Sequence, residues 1–200
     1  MIQWIEIPQA IPQPCKMRLD LYDNSALDRG TGNIKEILWI LCKCLFFLNP
    51  FPWPSPLRVF FLRLFGARIG RGVVVRSSVN ISFPWRLIIG DYVWLGEEVS
   101  ILSLASITLG SHICISQRTF LCSGSHDWRR ETFDLQTQPI VVEDQVWIAA
   151  QSFVGPGVTV GRGSIVGAGT ILLTSIPANS FAKGNPAQFF LKKTANSTCV

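Results

Sequence analysis

Charged residues are scarce in this 200-residue chain, in which Asp, Glu, Lys and Arg make up 16% and hydrophobic residues 48%. Such a chain can bury a sizeable core, so the composition excludes a disordered protein. The length suits one domain, or one domain with a helical arm. The net charge of +5 is modest, and basic residues do not alternate with aromatic ones in any run. We therefore do not expect nucleic acid as a partner.

Histidine and paired cysteines are also scarce. The chain has two histidines, and none of its six cysteines belongs to a Cys-x-x-Cys pair. The start MIQWIEIPQAIPQP holds three prolines and lacks the charged beginning of an export signal. We therefore expect reduced thiols in a cytoplasmic protein.

Long hydrophobic runs are missing as well. The most apolar stretch, Ile34 to Leu48, has 15 residues and includes Lys35, Glu36 and Lys43, whereas about 20 apolar residues are needed to cross a bilayer. We expect a helix packed on the domain. A helix that lies on a membrane surface, in a membrane-peripheral protein, is the alternative.

What the sequence does contain is a repeat of six residues. Ile, Leu or Val recurs every six positions in three sets of three and then, after a break, in one set of six. These positions are Ile69, Val75, Ile81, Ile89, Leu95, Ile101, Leu109, Ile115, Leu121, Val142, Ile148, Val154, Val160, Val166 and Leu172. A strand repeats every two residues and an α-helix every 3.6, so neither explains a period of six. A chain that turns a corner every six residues does.

Three such sides close one coil, and coils stacked at about 4.8 Å bury a column of aliphatic side chains. A small or β-branched residue four positions later, such as Val73 or Ser125, is expected to point inward beside them. Glycine often follows the aliphatic residue, and we expect it there because it tolerates the backbone geometry of a corner. The early sets start 20 residues apart, and we expect the two added residues (Leu87-Ile88 and Ile107-Thr108) at a corner.

The repeat stops after Ser125 and resumes near Val142. The intervening loop, residues 126–141, contains His, Asp, Trp, two Arg and Glu. Function is often carried by a long polar loop that leaves a regular scaffold. We therefore predict an all-β solenoid, a parallel β-helix, with an extruded loop and a short C-terminal tail.

The domain boundaries follow from the repeat. We predict an N-terminal extension over residues 1–66, with a helical arm at about 20–65 that is broken by the Pro-rich segment NPFPWPSP. The β-helix domain covers residues 67–200, and its coils run from about 67 to 177.

Several segments then point to a family. IGRGVV, LGEEVS, VGPGVT and VGAGTI resemble the hexapeptide-repeat acyltransferases, and IPANSFAKGNPAQ resembles their closing segment. YDNS, LRLFGARIG, PWRLIIGDYVWLGE, ITLGSHICISQRTFLCSGSHDW and KGNPA occur in the order found in acetyltransferases assigned to colanic acid biosynthesis, which are relatives of the maltose and galactoside O-acetyltransferases. The resemblance covers Leu21 to Lys193. It implies a left-handed β-helix, a homotrimer, and transfer of acetyl from acetyl-CoA to a hydroxyl of a saccharide.

The resemblance also implies a catalytic base. His126 stands where the repeat breaks, at the family's catalytic position, and an imidazole can take a proton from a sugar hydroxyl at neutral pH. Asp127 is a candidate to orient its ring. His112 lies in the corner LGSHIC, where polar residues are usual, and packing accounts for Cys122. Two histidines cannot form the three-His zinc site of the γ-class carbonic anhydrases, which share the fold, so no metal is expected.

Acetyl-CoA is expected at one coil edge. The resemblance implies that Trp147 lies at the acetyl-CoA end of a site between two subunits, and that the backbone of Ala150 and Ala168 contacts the pantetheine arm. The alternative, that small residues merely ease a corner, stays open for both alanines.

The C-terminal tail departs from the family. Related enzymes carry arginines after the closing segment, where they can meet the phosphates of coenzyme A, whereas this chain has Gln188 and Leu191. Lys183, Lys192 and Lys193 are the candidates to replace them, although lysine lacks the fork of arginine.

The acceptor is expected near Glu97, Glu98, Asp23 and Asn24, whose carboxylates and amide suit hydrogen bonds to vicinal hydroxyls. A solvated corner explains each of them equally well. Two other functions stay open at this point: an N-acetyltransferase acting on an amino sugar, and a non-catalytic β-helix scaffold.

Overall fold

The computed structural model describes residues 17–25, 27–49 and 51–191. The chain divides into two compact units. Of the described residues, the smaller unit comprises 17–25, 27 and 125–136, and the larger unit comprises 28–49, 51–124 and 137–191.

The larger unit contains three sheets, to which each full coil contributes one short strand apiece. Their strands are parallel except for the antiparallel strand Gln188–Leu191 of sheet B. Sheet A contains Arg68–Ile69, Leu87–Ile89, Ile107–Leu109, Ile140–Val142 and Thr159–Val160. Sheet B contains Val74–Val75, Trp94–Leu95, Cys114–Ile115, Trp147–Ile148, Ile165–Val166, Ser180–Lys183 and Gln188–Leu191. Sheet C contains Asn80–Ile81, Ser100–Leu102, Phe120–Cys122, Phe153–Val154 and Ile171–Leu172.

The strand register stacks the repeated aliphatic residues in columns. In sheet A, Ile69, Ile89, Leu109, Val142 and Val160 are direct partners along the stack. All fifteen repeat positions except the half-buried Ile69 are buried, and each fully buried aliphatic side chain stabilises the fold by roughly 1.5–3 kcal/mol. The predicted β-helix of hexapeptide repeats is confirmed.

The glycines that follow the aliphatic residues have a different role from the one expected. The positive φ angle of each corner lies two residues further on, as at Tyr92, where φ is 56°. A Cβ atom on Gly90 would lie 2.6 Å from the carbonyl oxygen of Gly110, and one on Gly161 would lie 2.3 Å from the backbone nitrogen of Ala178. At these two positions glycine is needed because successive corners stack too closely for a side chain, and the expectation that glycine there eases the turn was wrong.

Two further expectations about the coils were wrong. Leu87 and Ile107 do not lie at a corner, because both are buried and paired as strand residues of sheet A, which lengthen its strands to three residues. A 3₁₀ turn, Pro84–Arg86, makes the corner before Leu87. Ser125 does not point inward but is exposed, because it belongs to the smaller unit, where the coil has already ended.

The predicted helical arm is present as two helices, α1 (Asn33–Phe46) and α2 (Ser55–Leu64), on either side of the Pro-rich segment. The hydroxyl oxygen of Ser55 accepts a hydrogen bond from the backbone N–H of Val75 at 2.8 Å, which ties α2 to the first coil. The buried Arg58 donates to the carbonyl of Phe46 at 2.9 Å and so joins the two helices. In the part of the chain that the structure describes, every helix is too short or too polar to cross a membrane.

The solenoid continues beyond the predicted end at residue 177. Ile176 pairs with Val160, and Ser180–Lys183 adds a strand to sheet B. The tail then folds back, so that Gln188–Leu191 pairs antiparallel with Ser180–Lys183. The aliphatic spacing predicted the end of the coils too early, because Ala182 takes the inward position of the strand Ser180–Lys183.

The smaller unit contains a 3₁₀ turn, Leu19–Leu21, and most of the loop that interrupts the repeat. Two short strands, Gly124–His126 and Leu135–Thr137, pair at the base of this loop. The backbone N–H of Arg18 donates to the carbonyl of Glu131 at 2.9 Å, which holds the N-terminal segment on the loop.

Candidate active site

His126 is half-buried at the end of the first loop strand, and its ring is oriented by the loop itself. Its Nδ1 atom lies 2.9 Å from the carbonyl oxygen of Phe133. A carbonyl oxygen can only accept a hydrogen bond, so Nδ1 carries the proton and Nε2 is left with a free lone pair. In this tautomer Nε2 can accept a proton, as a general base must.

Aromatic rings hold the imidazole in place. The ring of Phe133 stacks on that of His126 with a centroid distance of 4.3 Å and an interplanar angle of 2°. Tyr22 contacts the imidazole with a centroid distance of 5.5 Å. The backbone φ of Phe133 is 50°, which is uncommon for a bulky residue. The loop therefore positions both the ring and the carbonyl of Phe133 on the same histidine.

Asp127, the candidate to orient the ring of His126, has a different contact. Its carboxylate accepts a hydrogen bond from the backbone N–H of Arg129 at 3.0 Å, and its own N–H donates to the carbonyl of Asp134 at 2.9 Å. The structure gives the role of orienting Nδ1 to a backbone carbonyl, because the turn directs the side chain of Asp127 onto its own backbone.

Asp23 and Asn24 are exposed in the smaller unit and directly follow Tyr22, which contacts His126. The carboxylate of Asp23 accepts hydrogen bonds from the backbone N–H of Ser25 at 2.7 Å and from its hydroxyl at 2.8 Å. These bonds, the backbone one foremost, lower the pKa of Asp23. The segment thus presents a carboxylate that is ionised and fixed in direction.

In the larger unit, four of the predicted residues lie along one edge, the corner between sheets B and C, hereafter the B–C corner. Backbone hydrogen bonds connect successive coils along it: Arg118 donates to Glu97 at 3.0 Å, Gln151 to Gln117 at 2.9 Å, and Gly169 to Ala150 at 2.9 Å. This edge carries Glu97, Glu98, Ala150 and Ala168.

Trp147 and Lys183 lie on sheet B, next to that edge. Trp147 is 47% exposed, and its Nε1–H donates to the hydroxyl of Ser116 at 3.0 Å, which fixes the indole on the outer face. Its strand neighbour in the next coil is Ile165, which in turn pairs with Phe181 of the strand that ends at Lys183. Lys183 is exposed, with its Nζ 5.9 Å from the ring centroid of Phe190.

Ion pairs already hold both candidate acceptor carboxylates of the B–C corner. Arg76 donates to Glu97 at 2.7 Å, and Arg118 donates to Glu98 at 2.9 Å. The hydrogen bond from Arg76 lowers the pKa of Glu97. Each carboxylate connects one coil with the next, so a sugar would meet an arginine–carboxylate pair there rather than a lone acid.

Within residues 17–25, 27–49 and 51–191, no group of three His, Cys, Asp or Glu side chains could hold a metal ion. His112 is exposed at a corner and stacks on Tyr92 with a centroid distance of 5.2 Å. Cys122 is buried, and its thiol donates to the carbonyl of Gly124 at 3.1 Å. Cys122 is thus packed within the coil, and His112 faces outward at a corner, as their places in the repeat indicate.

The loop and the B–C corner begin from different edges of the solenoid. The chain leaves sheet C after Cys122 and re-enters sheet A at Ile140, so it departs from the corner between sheets C and A. The residues at the B–C corner follow sheet B, one side earlier in each coil.

Comparison with known proteins identifies the family. The six-repeat profile of the bacterial transferase hexapeptide matches residues 139–174. The chain is 44% identical over 163 residues to a protein of Escherichia coli (strain K12) assigned as the colanic acid biosynthesis acetyltransferase WcaF, a match that covers 80% of this chain and 87% of that one. The chain belongs to the hexapeptide-repeat acetyltransferases.

Two further relatives are less similar to this chain. The galactoside O-acetyltransferase of Escherichia coli (strain K12) is 28% identical over 125 residues, which is 61% of this chain and 62% of that one. The crystal structure of the hexapeptide-repeat acetyltransferase VCA0836 from Vibrio cholerae, complexed with acetyl-CoA, superposes with a TM-score of 0.65 at 29% identity and covers 69% of this chain and 78% of that one.

Some residues at the site of this hexapeptide-repeat acetyltransferase could not be found from its sequence. Phe133 contacts His126 through a backbone carbonyl, which every residue has, so nothing in the sequence distinguishes it. Tyr22 does have a signal, because it lies in the segment YDNS that resembles the family. Lys192 and Lys193, the remaining candidates for the phosphates, lie outside the described residues.

Proposed function

We propose that this protein transfers an acetyl group from acetyl-CoA to a hydroxyl of a saccharide, with His126 as the general base. The relative at 44% identity is assigned to colanic acid biosynthesis, a second relative is a galactoside O-acetyltransferase, and a third was crystallised with acetyl-CoA. The observation that carries the proposed mechanism is the hydrogen bond between His126 Nδ1 and the carbonyl of Phe133, because it leaves Nε2 free to accept a proton.

The reaction needs one proton to move twice. Nε2 of His126 takes the proton of the sugar hydroxyl as its oxygen attacks the thioester carbonyl, and the imidazolium then returns that proton to the departing thiolate of coenzyme A. The carbonyl of Phe133 stabilises the imidazolium between these steps, since Nδ1–H donates to it throughout. Direct transfer in a ternary complex requires no acyl-enzyme, which fits the buried, hydrogen-bonded Cys122.

The donor is proposed to lie along the B–C corner. Ala150 and Ala168 leave room there for a thin pantetheine chain, and the exposed indole of Trp147, fixed by Ser116, offers a flat apolar surface beside it. Lys183 is the described cation nearest the end of that sheet and is proposed to meet the phosphates. On the acceptor side we propose Asp23 and Asn24, together with Glu97 and Glu98.

We propose that the active form is a homotrimer. The loop that carries His126 starts from the C–A corner, whereas the donor residues follow sheet B. In a trimer the loop of one subunit can meet the B–C corner of its neighbour, which would form three equivalent sites. The apolar outer positions of sheet B, Trp94, Trp147 and Phe181, are exposed in the single chain and would be covered in such an assembly.

The proposed location is the cytoplasm. The described cysteines, Cys42, Cys44, Cys114 and Cys122, are all free thiols, which suits a reducing compartment.

The test is release of coenzyme A from acetyl-CoA across a panel of neutral and amino sugars, measured by chromatography for wild type, His126→Ala and His112→Ala. General-base catalysis typically contributes 10²–10⁴-fold, so His126→Ala should lower kcat by about that factor. His112→Ala is the matched control, because His112 is exposed at a corner, where it stacks on Tyr92, and it should keep the wild-type rate.

Equal rates for wild type and His126→Ala would refute the general-base assignment. If coenzyme A is released with amino sugars alone and the product is an N-acetyl sugar, nitrogen is the acceptor atom instead of oxygen. A wild-type enzyme that releases no coenzyme A with any sugar and binds none in calorimetry would leave the chain as a scaffold.

A further inference from the structure

Helices α1 and α2 close one end of the solenoid. The indole Nε1–H of Trp39 donates to the carbonyl of Ile81 at 3.0 Å, and the carbonyl of Phe47 accepts a hydrogen bond from the backbone N–H of Ser78 at 2.9 Å. Trp39 and Phe47 are fully buried. The inner side of the helices thus covers the first coil, whose strands would otherwise expose unpaired backbone groups.

The outer side of α1 is apolar, although a terminal cap of a solenoid normally has a polar outer face. Five large aliphatic side chains along it are more than half exposed, at a spacing of three or four residues that places them on one stripe. They are Ile34 at 76%, Ile37 at 57%, Leu38 at 52%, Leu41 at 56% and Leu45 at 61%. An apolar surface of this kind on a monomer marks an interaction site.

The charges around this stripe are almost all positive. From Asn33 to Arg68 the sequence contains five Lys or Arg and a single acidic residue, Glu36. Arg58 is buried between the helices, so the basic residues that reach solvent are Lys35, Lys43, Arg63 and Arg68. Glu36 is neutralised by an ion pair with Arg29. The partner of this surface should therefore be apolar and negatively charged.

We propose that the outer face of α1 docks on the surface of a lipid bilayer that contains anionic headgroups. The helix has 14 residues and is about 21 Å long at 1.5 Å per residue, so it lies in the plane of the interface with its aliphatic stripe among the acyl chains. Phe51, between the helices, and Phe60, on α2, are each 57% exposed and are the proposed aromatic anchors. The proposal does not depend on the acetyl-transfer activity.

A second copy of this chain fits the surface less well. Two caps placed end to end would bring two sets of predominantly basic residues together, and like charges across an interface cost several kcal/mol. An anionic bilayer instead attracts each nearby Lys or Arg by about 1 kcal/mol. The charge of the cap therefore favours lipid.

The experiment is vesicle flotation of the full chain, with vesicles of phosphatidylcholine alone and of phosphatidylcholine mixed with phosphatidylglycerol. The test variant combines Leu38→Gln, Leu41→Gln and Leu45→Gln. Leu173→Gln is the matched control, because Leu173 is equally exposed, at 59%, in the last full coil. Far-UV circular dichroism and the thermal transition verify that each variant is folded.

Wild type and Leu173→Gln should float with the anionic vesicles, and more weakly as salt is raised. The triple variant should partition on the order of 100-fold less, because three leucines no longer enter the acyl region. Failure of wild type to bind anionic vesicles, or equal binding of all three proteins, would overturn the proposal. So would a wild-type particle in vesicle-free buffer with twice the mass of the triple variant, since a second copy would then cover the stripe.

Discussion

Replacing glycine by alanine at three positions separates two reasons for glycine in this chain: a positive φ angle, and a lack of space for a Cβ atom. Gly32 precedes α1 with an ordinary φ of −76°, and a Cβ atom there would meet nothing within 4 Å. Gly169 also has open space, but its φ is 68°. Gly90 is not among the residues with positive φ, yet a Cβ atom would lie 2.6 Å from both the carbonyl oxygen of Gly110 and the hydroxyl of Ser111.

The magnitudes follow from these environments. At Gly32, alanine is a poorer helix N-cap but reduces the entropy of the unfolded chain, so the net change should stay within about 0.5 kcal/mol. At Gly169 the left-handed backbone costs alanine about 1–2 kcal/mol, less the same entropy gain, which leaves roughly 1 kcal/mol. At Gly90 the clash is with backbone, which cannot rotate away, and overpacking of this kind costs about 3 kcal/mol.

Thermal unfolding at one fixed protein concentration measures the series. A change of 1 kcal/mol moves the Tm of a chain of this size by about 2–4 °C, so Gly90→Ala should lower Tm by roughly 6–12 °C and Gly169→Ala by roughly 2–4 °C. If Gly90→Ala lowers Tm no more than Gly169→Ala does, close stacking of the corners is not the reason for glycine at this position.

Two further predictions concern titratable groups. Burial raises the pKa of the Cys42 thiol to about 11. At mildly alkaline pH, iodoacetamide should therefore label the exposed Cys44 and spare Cys42, which peptide mass spectrometry can measure. Equal labelling of the two cysteines would contradict the packing of α1. Asp144 accepts the backbone N–H of Ser111 at 2.8 Å and pairs with Arg162, and these contacts lower the pKa of its carboxyl. The ionised carboxylate stabilises the fold at pH values above its unfolded pKa, near 4, and this stabilisation is lost as the pH falls through the lower pKa of the folded state. The Tm advantage of wild type over Asp144→Asn should therefore shrink below about pH 4. Parallel curves of Tm against pH for the two proteins would argue against the contact.

The sequence predicts the solenoid because one physical requirement recurs in it. Each side of a coil must bury one branched aliphatic residue, so the requirement appears as a period, and the register of Ile69, Ile89 and Leu109 repeats it in space. The purpose of the glycines was mistaken because spacing identifies a corner without giving the distance to the next coil. The strand Ser180–Lys183 was missed because Ala182 fills its inward position without matching the aliphatic pattern.

The sequence is enough to locate the candidate base, but it does not show which nitrogen of the imidazole carries the proton. His126 stands where the period breaks, and that position is visible in the residues. Its tautomer is set by the carbonyl of Phe133, and a backbone acceptor carries no sequence signal. Loop residues have no period, so contacts such as the one between Tyr22 and His126 emerge only from the folded chain.

The count of repeats within each coil bears on the assembly. Leu121 is the third aliphatic residue of its coil, so the loop leaves after sheet C, whereas Ile148, beside Trp147, is the second of its coil and belongs to sheet B. A reaction that uses both the loop and the B–C corner therefore draws on residues that follow two different sides of the coil. Cyclic association of identical chains can bring one such side of each subunit to the other side of its neighbour, which is the physical reason that the proposed mechanism favours the proposed trimer over an isolated chain.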